Sequence, residues 1–131
     1  MAIRKDIIPP GMEIISERFR YAPGVLVDDT LYIAGQVGRN EALEVISVTE
    51  AQFVQAFENV RKVLDAAGAS FDDVVEMITY HVDMRDLQLF MSVKDRYFTG
   101  RVPTWTAVGV SALAMPGLLV EIKCQARLGC N

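Results

Sequence analysis

The chain has 131 residues, of which 51% are hydrophobic and 23% charged, a length and balance typical of one globular domain. Its formal net charge of −4 argues against nucleic acid as a partner, and no apolar run is long enough to span a membrane. The first residues also lack the apolar core of a signal peptide. We therefore expect a single cytoplasmic domain over residues 1–131 with no membrane partner.

Two cysteines and one histidine limit the metal chemistry that the chain could support. Cys124 and Cys130 do not form a Cys-x-x-Cys pair, and a single histidine cannot complete a zinc site with them. Cys124 falls on the apolar face of a predicted strand, where a free cysteine is usually a small core residue. The sequence therefore predicts no metal site.

The sequence pattern of the N-terminal third of the chain predicts β-strands. A Pro-Pro-Gly turn at 9–11 is followed by a possible edge strand at 12–16. Two apolar runs, 25–27 and 31–34, flank the polar residues 28–30, which is typical of a β-hairpin. The hairpin ends in the sequence Gly-Gln-Val-Gly at 35–38, where glycine permits a bend or a close backbone approach.

A first helix is predicted from Thr49 to Gly68. Thr49 and Gln52 have the spacing of a capping box, and Gly68 is a typical C-terminal stop. The apolar residues between them recur at helical spacing: Phe53, Ala56, Phe57, Val60, Leu64 and Ala67. One apolar face predicts that the helix packs against one sheet.

A strand over 74–84 and a second helix follow. The even-numbered residues of the strand are largely apolar, which places Thr79, His81 and Asp83 on the other side. Histidine titrates near neutrality, but a lone strand histidine is more often structural than a general base. Asp86 is a candidate cap for the second helix, and Gly100 is its candidate stop.

Two strands close the chain, and the last alternates strictly between apolar and polar residues from Val120 to Leu128. The order of elements predicts an α+β fold in which two helices cover one face of a mixed β-sheet. The two-residue periodicity of the last two strands places these residues together on the opposite face: Trp105, Ala107, Gly109, Glu121 and Lys123. Because that face is too mixed for a core and too aromatic for an ordinary surface, we expect a subunit interface with clefts.

Five segments, taken together, resemble the Rid family, also called the YjgF family. They are 21–25, 31–37, 59–68, 86–87 and 116–126, in this order and spacing. The resemblance implies a chorismate-mutase-like α+β fold that assembles as a homotrimer. It also implies small-molecule pockets in the clefts between subunits.

The resemblance further implies a cofactor-free hydrolysis of reactive enamines and imines, such as 2-aminoacrylate, to a keto acid and ammonia. In that mechanism an arginine holds the substrate carboxylate, while a carboxylate, a tyrosine and main-chain groups position water. The site residues carried over are the catalytic pair Glu121 and Tyr21, the Gly-Gln turn of Gly35 and Gln36, and the ligand-binding residues Thr106 and Ala107.

The chain departs from the family at the arginine, because Trp105 stands at that position. An arginine would grip a carboxylate with two parallel charge-assisted hydrogen bonds, whereas an indole offers an apolar plate and one N–H donor. Lys94 stands where the family has an asparagine. Either Lys94 or Arg101 could supply the missing charge, and deaminase activity toward 2-aminoacrylate is doubtful.

Each proposed site residue has a structural alternative. Glu121 could instead be a solvated carboxylate paired with Lys123 or Arg127, and Tyr21 could be a packing tyrosine. Trp105 could line a ligand pocket or fill the trimer interface. Three functions remain open at this point. The first is an imine or enamine hydrolase, the second is a non-catalytic trimeric protein that binds or senses a small molecule, and the least favoured is an endoribonuclease or translation inhibitor.

Overall fold

The computed structural model describes residues 1–130 and shows one mixed β-sheet with two helices packed on one face, as the sequence predicts. The strands are β1 (Arg4–Ile7), β2 (Gly24–Val27), β3 (Thr30–Ile33), β4 (Gln36–Val37), β5 (Val74–His81), β6 (Thr104–Gly109) and β7 (Val120–Arg127). The helices are α1 (Thr49–Ala67) and α2 (Leu87–Lys94), with a π-helical turn at Ile15–Phe19 and 3₁₀ turns at Phe71–Asp73 and Met84–Asp86.

The sheet has the strand order β1-β2-β3-β7-β5-β6, and the short strand β4 also pairs with β7. Strands β5 and β6 are parallel, and every other pair is antiparallel. Strand β7 is therefore central, while β6 forms one edge. We call the face covered by α1 and α2 the helix face and the opposite face the open face.

The predicted hairpin is confirmed, but the predicted edge strand at 12–16 is wrong. Strands β2 and β3 pair from Gly24↔Ile33 to Val27↔Thr30 around a two-residue turn in which Asp28 has φ of 51°. The edge strand is instead β1, which pairs with β2. Met12 and Ile15 belong to successive turns that bury both side chains in the core, and a helical turn achieves this where a strand would not.

Helix α1 packs through the apolar stripe that the sequence predicts. Its fully buried Phe53 and Phe57 contact Phe90 of α2, with ring centroids 5.4 and 5.3 Å apart. Aromatic pairs at such distances add to the free energy gained from burial. Gly68 ends the helix with φ of 76° and donates its N–H to the carbonyls of Leu64 and Asp65, as predicted.

The predicted capping box of α1 is wrong. Thr49 makes no capping hydrogen bond, and Gln52 is fully buried. The Gln52 amide donates to the carbonyls of Ile46 and Gly117, both at 2.9 Å, and accepts from the N–H of Leu119 at 2.6 Å. Gln52 therefore joins α1 to the loop before it and to the segment that leads into β7.

The face assignment of β5 is also wrong. Val75 is an extra residue that forms a β-bulge, since Val74 pairs with Ala126 while Glu76 pairs with Gln125. A bulge reverses the alternation that follows it. Thr79 and His81 consequently lie buried on the helix face, and Ile78 and Tyr80 lie on the open face.

Helix α2 starts directly after Asp86, as predicted, but it lacks the predicted side-chain cap and ends earlier than predicted. The Asp86 side chain makes no capping bond, whereas Asp83 accepts a 2.9 Å hydrogen bond from the N–H of Arg85 and caps the preceding 3₁₀ turn. The helix ends at Lys94, before Gly100. Its buried residues are Phe90 and Val93, which pack into the core.

Candidate functional site

Glu121 is the central polar group of the candidate site. It lies on the open face of β7, half-buried, and pairs with Val37 of β4 and Tyr80 of β5. Its carboxylate rests against Gly35, and a Cβ added to that glycine would overlap the Glu121 Oε2. Gly35 is therefore required by the close approach of the carboxylate.

The structure does not support the alternative of a paired surface carboxylate. Within residues 1–130, Glu121 forms no ion pair with Lys123 or Arg127 and accepts no hydrogen bond from protein. A partly desolvated carboxylate usually has a partner. The free carboxylate oxygens of Glu121 are consequently available to water or a ligand.

Tyr21 lies in the loop before β2 and is 40% exposed. Its hydroxyl accepts a 3.3 Å hydrogen bond from Nη2 of Arg39. Because the hydroxyl acts as acceptor in this contact, its own proton remains available for donation to a ligand.

Arg39 is a functional candidate that the sequence analysis missed. It is half-buried and also contacts the Sδ of Met115 at 3.4 Å and the ring of Phe19, with Cζ 5.7 Å from the ring centroid. The only available signal was an arginine directly after the Gly-Gln-Val-Gly sequence at 35–38. Nothing in that local pattern indicates its contact with Tyr21.

Gln36 contributes differently from the prediction. It pairs with Ile122, lies buried on the helix face and donates from Nε2 to the carbonyl of Ala34 at 3.0 Å. Together with Tyr21 and Arg39 it lines a small pocket of about 30 Å³, room for roughly one water molecule.

Trp105 does not share a face with Glu121, and this part of the prediction is wrong. The parallel register pairs Trp105 with Met77 and Ala107 with Thr79, which places both β6 residues on the helix face. The Trp105 ring lies 6.0 Å from that of Phe90. On an edge strand both faces are partly exposed, so alternation alone could not decide which face is buried.

The indole N–H of Trp105 is already bonded. Its Nε1 donates to Oγ1 of Thr79 at 2.9 Å, and Oγ1 lies 2.7 Å from Nε2 of His81. Trp105 therefore offers a ligand only its ring surface. Thr106, on the same strand, points to the open face and is exposed.

His81 is structural, in keeping with the sequence interpretation. It is 1% exposed and packs edge-on against Phe90, with centroids 4.9 Å apart. Burial lowers the pKa of His81 from its usual 6.5, and the charge of Asp86 opposes this shift only in part. Its Nδ1 has no hydrogen-bond partner among residues 1–130.

Lys94 lies beside Trp105, with Nζ 5.3 Å from the indole centroid, a cation–π distance. Its ammonium also forms a 2.9 Å ion pair with Asp95. Arg101 is directed elsewhere and donates from Nη1 to the carbonyl of Cys130 at 2.7 Å. The two cations that the sequence offered for the missing charge are thus both engaged.

The 130 described residues contain no cluster of three or more His, Cys, Asp or Glu side chains that could hold a metal ion. No helix in that part of the chain is long and apolar enough to cross a membrane.

Comparison with known proteins places this fold and these residues in a family. Residues 13–128 match the family model described as Endoribonuclease L-PSP. The RutC family protein YjgH of Escherichia coli is 35% identical over 130 residues, covering 98% of both chains. The solved structure of a protein named YJGH superposes with a TM-score of 0.88 at 34% identity over 98% of both chains. The chain therefore belongs to the Rid/YjgF family, and it has the fold of that family.

Two further relatives carry names that describe ligands or reactions. The 2-iminobutanoate/2-iminopropanoate deaminase of Mus musculus is 36% identical over 113 residues, which is 83% of this chain and 82% of the relative. The solved structure of E. coli TdcF with bound serine is 25% identical, with a TM-score of 0.78 over 82% of this chain and 87% of TdcF.

Proposed function

We propose that this protein hydrolyses a small reactive imine or enamine. An enamine first gains a proton on carbon and becomes the imine. Water then adds to the imine carbon as a proton passes to Glu121. After the nitrogen is protonated, the C–N bond breaks, the hydroxyl of the adduct loses its proton to form the carbonyl, and ammonia leaves. The products are a carbonyl compound and ammonia, with no change in overall oxidation state. The single observation that carries the proposal is the half-buried Glu121 carboxylate, which has no partner in residues 1–130 and can orient water.

Tyr21 supports the same chemistry. Its hydroxyl accepts from Arg39, so the free proton can be donated to the substrate nitrogen or to water. Gly35 allows the Glu121 carboxylate to lie against the backbone at the start of β4. These three groups form one half of the proposed site, which we call the Tyr21–Glu121 half-site.

Trp105, Lys94 and Ala107 belong to the proposed second half of the site. Trp105 and Glu121 lie on opposite faces of the sheet, so they can border one cleft only if each comes from a different copy of the chain. We extend the proposal to a homotrimer in which the β6 edge of one copy, which carries Trp105, meets the open face of the next. That face carries the partly exposed Ile78, Tyr80 and Val108, the kind of surface that an interface covers.

The named relatives support the substrate class. The mouse relative is named for 2-iminobutanoate and 2-iminopropanoate, and TdcF was solved with bound serine. All three of these compounds are small nitrogen-bearing acids. For the present chain we expect slower turnover of 2-iminopropanoate than in arginine-bearing relatives, because Trp105 supplies no charge and its N–H is bonded to Thr79.

A non-catalytic role in binding small molecules is the second candidate. The engaged indole of Trp105 favours it, since a ring surface can stack on a ligand without providing chemistry. Fluorescence of this single tryptophan would report such binding. Ribonuclease action is disfavoured by the net charge of −4, although the family model bears that description.

The proposal is tested by Glu121→Gln, with Lys123→Gln as the matched control two residues along the same face. Hydrolysis of 2-iminopropanoate and of a neutral imine would be followed by ammonia release. Loss of most turnover in Glu121→Gln, with turnover retained in Lys123→Gln, is the expected result. Equal rates in Glu121→Gln and the parent protein, or no turnover of either substrate by the parent, would overturn the hydrolase proposal.

A further inference from the structure

The chain still carries a cation suited to a substrate carboxylate, although not at position 105. We propose that Arg39 is the anion-binding residue of the Tyr21–Glu121 half-site and that it takes a small carboxylate ligand. The location of the ligand rests on the proposed function, but the affinity for a carboxylate does not require turnover. Lys94 does not have this role because its charge is paired with Asp95, and Arg101 is hydrogen-bonded to the Cys130 carbonyl and has no bond to Tyr21 or Glu121 among residues 1–130.

The contacts of Arg39 leave its charge uncompensated. Its guanidinium bonds to a hydroxyl and a thioether and lies over the Phe19 ring, and all three are neutral. Within residues 1–130 it forms no ion pair. A guanidinium has five N–H donors in a planar fork that matches a carboxylate. The remaining donors of Arg39 are therefore free for a bidentate anion.

The acidic side chains around Arg39 do not neutralise it. Glu41 lines the same small pocket but is paired with Lys62 at 3.4 Å. Glu121 belongs to the same half-site and forms no ion pair with Arg39. The site thus keeps a free cation and a free carboxylate apart, as is needed to bind an anion and orient water separately.

The backbone of Arg39 is held in place by α1. Asn59, which is 5% exposed, donates from Nδ2 to the carbonyls of Val37 and Arg39 at 2.8 and 2.9 Å. Gln55 in turn donates to Oδ1 of Asn59 at 2.9 Å. A fixed backbone reduces the entropy lost when the guanidinium binds an anion.

The strand register also relates the backbone of Arg39 to Glu121. Val37 pairs directly with Glu121, and Arg39 follows two residues later, at most about 7 Å along the backbone. A carboxylate bound to Arg39 would lie beside Tyr21, whose hydroxyl is hydrogen-bonded to the same guanidinium. Arg39 and position 105 lie on different parts of the fold, so anion binding by Arg39 and rapid hydrolysis of 2-imino acids are separate properties.

The test measures binding of pyruvate, a carboxylate, and methyl pyruvate, its neutral ester, to the full chain by titration calorimetry. The variants are Arg39→Gln and Arg39→Lys. The matched control is Arg18→Gln, which removes the same charge from another arginine over the Phe19 ring, whose Cζ lies 5.5 Å from the centroid. Circular dichroism would establish that each variant is folded. If Arg39→Gln does not fold, Arg39→Lys becomes the test variant.

We expect Arg39→Gln to weaken pyruvate binding by at least about tenfold. Arg39→Lys should weaken it less, because lysine keeps the charge but loses the fork. Arg18→Gln should bind pyruvate as the parent protein does, and binding of methyl pyruvate should not depend on Arg39. Equal pyruvate affinity in Arg39→Gln, or a parent protein that does not prefer pyruvate to its ester, would overturn the inference.

The outcomes separate this inference from the proposed function. A protein that hydrolyses a neutral imine through Glu121 but does not bind pyruvate refutes the role of Arg39 and leaves the hydrolase standing. A protein that binds pyruvate through Arg39 without turnover refutes the hydrolase and supports the anion site.

Discussion

The indole Nε1 of Trp105 donates a 2.9 Å hydrogen bond to the hydroxyl of Thr79, across the parallel pair of β6 and β5. Thr79 is fully buried and also contacts His81 at 2.7 Å. The indole of the single tryptophan is therefore held by two successive hydrogen bonds inside the core, between Trp105 and Thr79 and between Thr79 and His81. Its ring direction is set by the fold and not by a ligand.

Replacing Thr79 by valine should destabilise the protein by about 1–3 kcal/mol, because the Trp105 N–H and the His81 ring would both lose their partner. Thr106→Val on the exposed face of β6 is the matched control and should change the free energy of unfolding little. Urea unfolding followed by tryptophan fluorescence would measure both. Similar stabilities of the two variants would show that the buried hydroxyl does not contribute.

Replacing Trp105 by arginine should raise the rate of 2-iminopropanoate hydrolysis by at least about tenfold, since a buried charge pair is worth about 2–5 kcal/mol. Trp105→Phe removes the same N–H bond without adding charge, and it should give no such rise. Ammonia release measures both variants. Equal rates of hydrolysis by Trp105→Arg and Trp105→Phe would mean that a charge at position 105 does not interact with the substrate.

The open face should be covered by other copies of the chain. Sedimentation of the parent protein should give the mass of three chains, even in dilute solution. Val108→Glu, which places a carboxylate on that face, should dissociate the assembly, whereas Val102→Glu in the loop before β6 should not. A stable monomer of the parent protein would remove the second half of the proposed site.

Stability should depend on pH through His81. Burial lowers the pKa of His81 in the folded protein below 6.5. As the pH falls, His81 of the unfolded protein therefore takes up a proton first. The contribution of the neutral ring to stability is therefore fully present above pH 6.5 and is lost progressively below it. Urea unfolding at several pH values should show a weaker loss below 6.5 in His81→Gln than in the parent. NMR titration of this single histidine would report the folded pKa directly, and a value above 6.5 would contradict the prediction.

The two cysteines should differ in reactivity. Cys124 is 1% exposed, and burial raises the pKa of its thiol to about 12, so it carries almost no thiolate at neutral pH. Cys130 is half-buried near the end of the chain. A thiol reagent should modify one cysteine in the native protein and none in Cys130→Ser. Rapid native labelling of Cys130→Ser would show that the core opens around β7.

The periodic parts of the fold could be predicted from the sequence. The apolar stripe of α1, the turn between β2 and β3 and the alternation of β7 are local patterns, and the structure confirms each. These patterns also place Glu121 on the open face and Cys124 in the core, as predicted.

The incorrect predictions concern residues whose position depends on contacts with residues distant in the sequence. A single bulged residue, Val75, reverses the faces of Thr79 and His81, and the edge strand β6 has no fully buried side from which to assign Trp105. Arg39 was missed because its partners, Tyr21 and Met115, are 18 and 76 residues away in the sequence.

The three hydrogen bonds of Gln52 have a consequence for folding. One amide joins a helix, the loop that precedes it and a segment more than sixty residues later, which continues into the strand bearing Glu121. The bonds to Gly117 and Leu119 can form only once the helix and that distant segment have met. The segment that leads to the proposed catalytic carboxylate should therefore be fixed only once α1 has packed against it, and a chain in which the two are apart should be inactive.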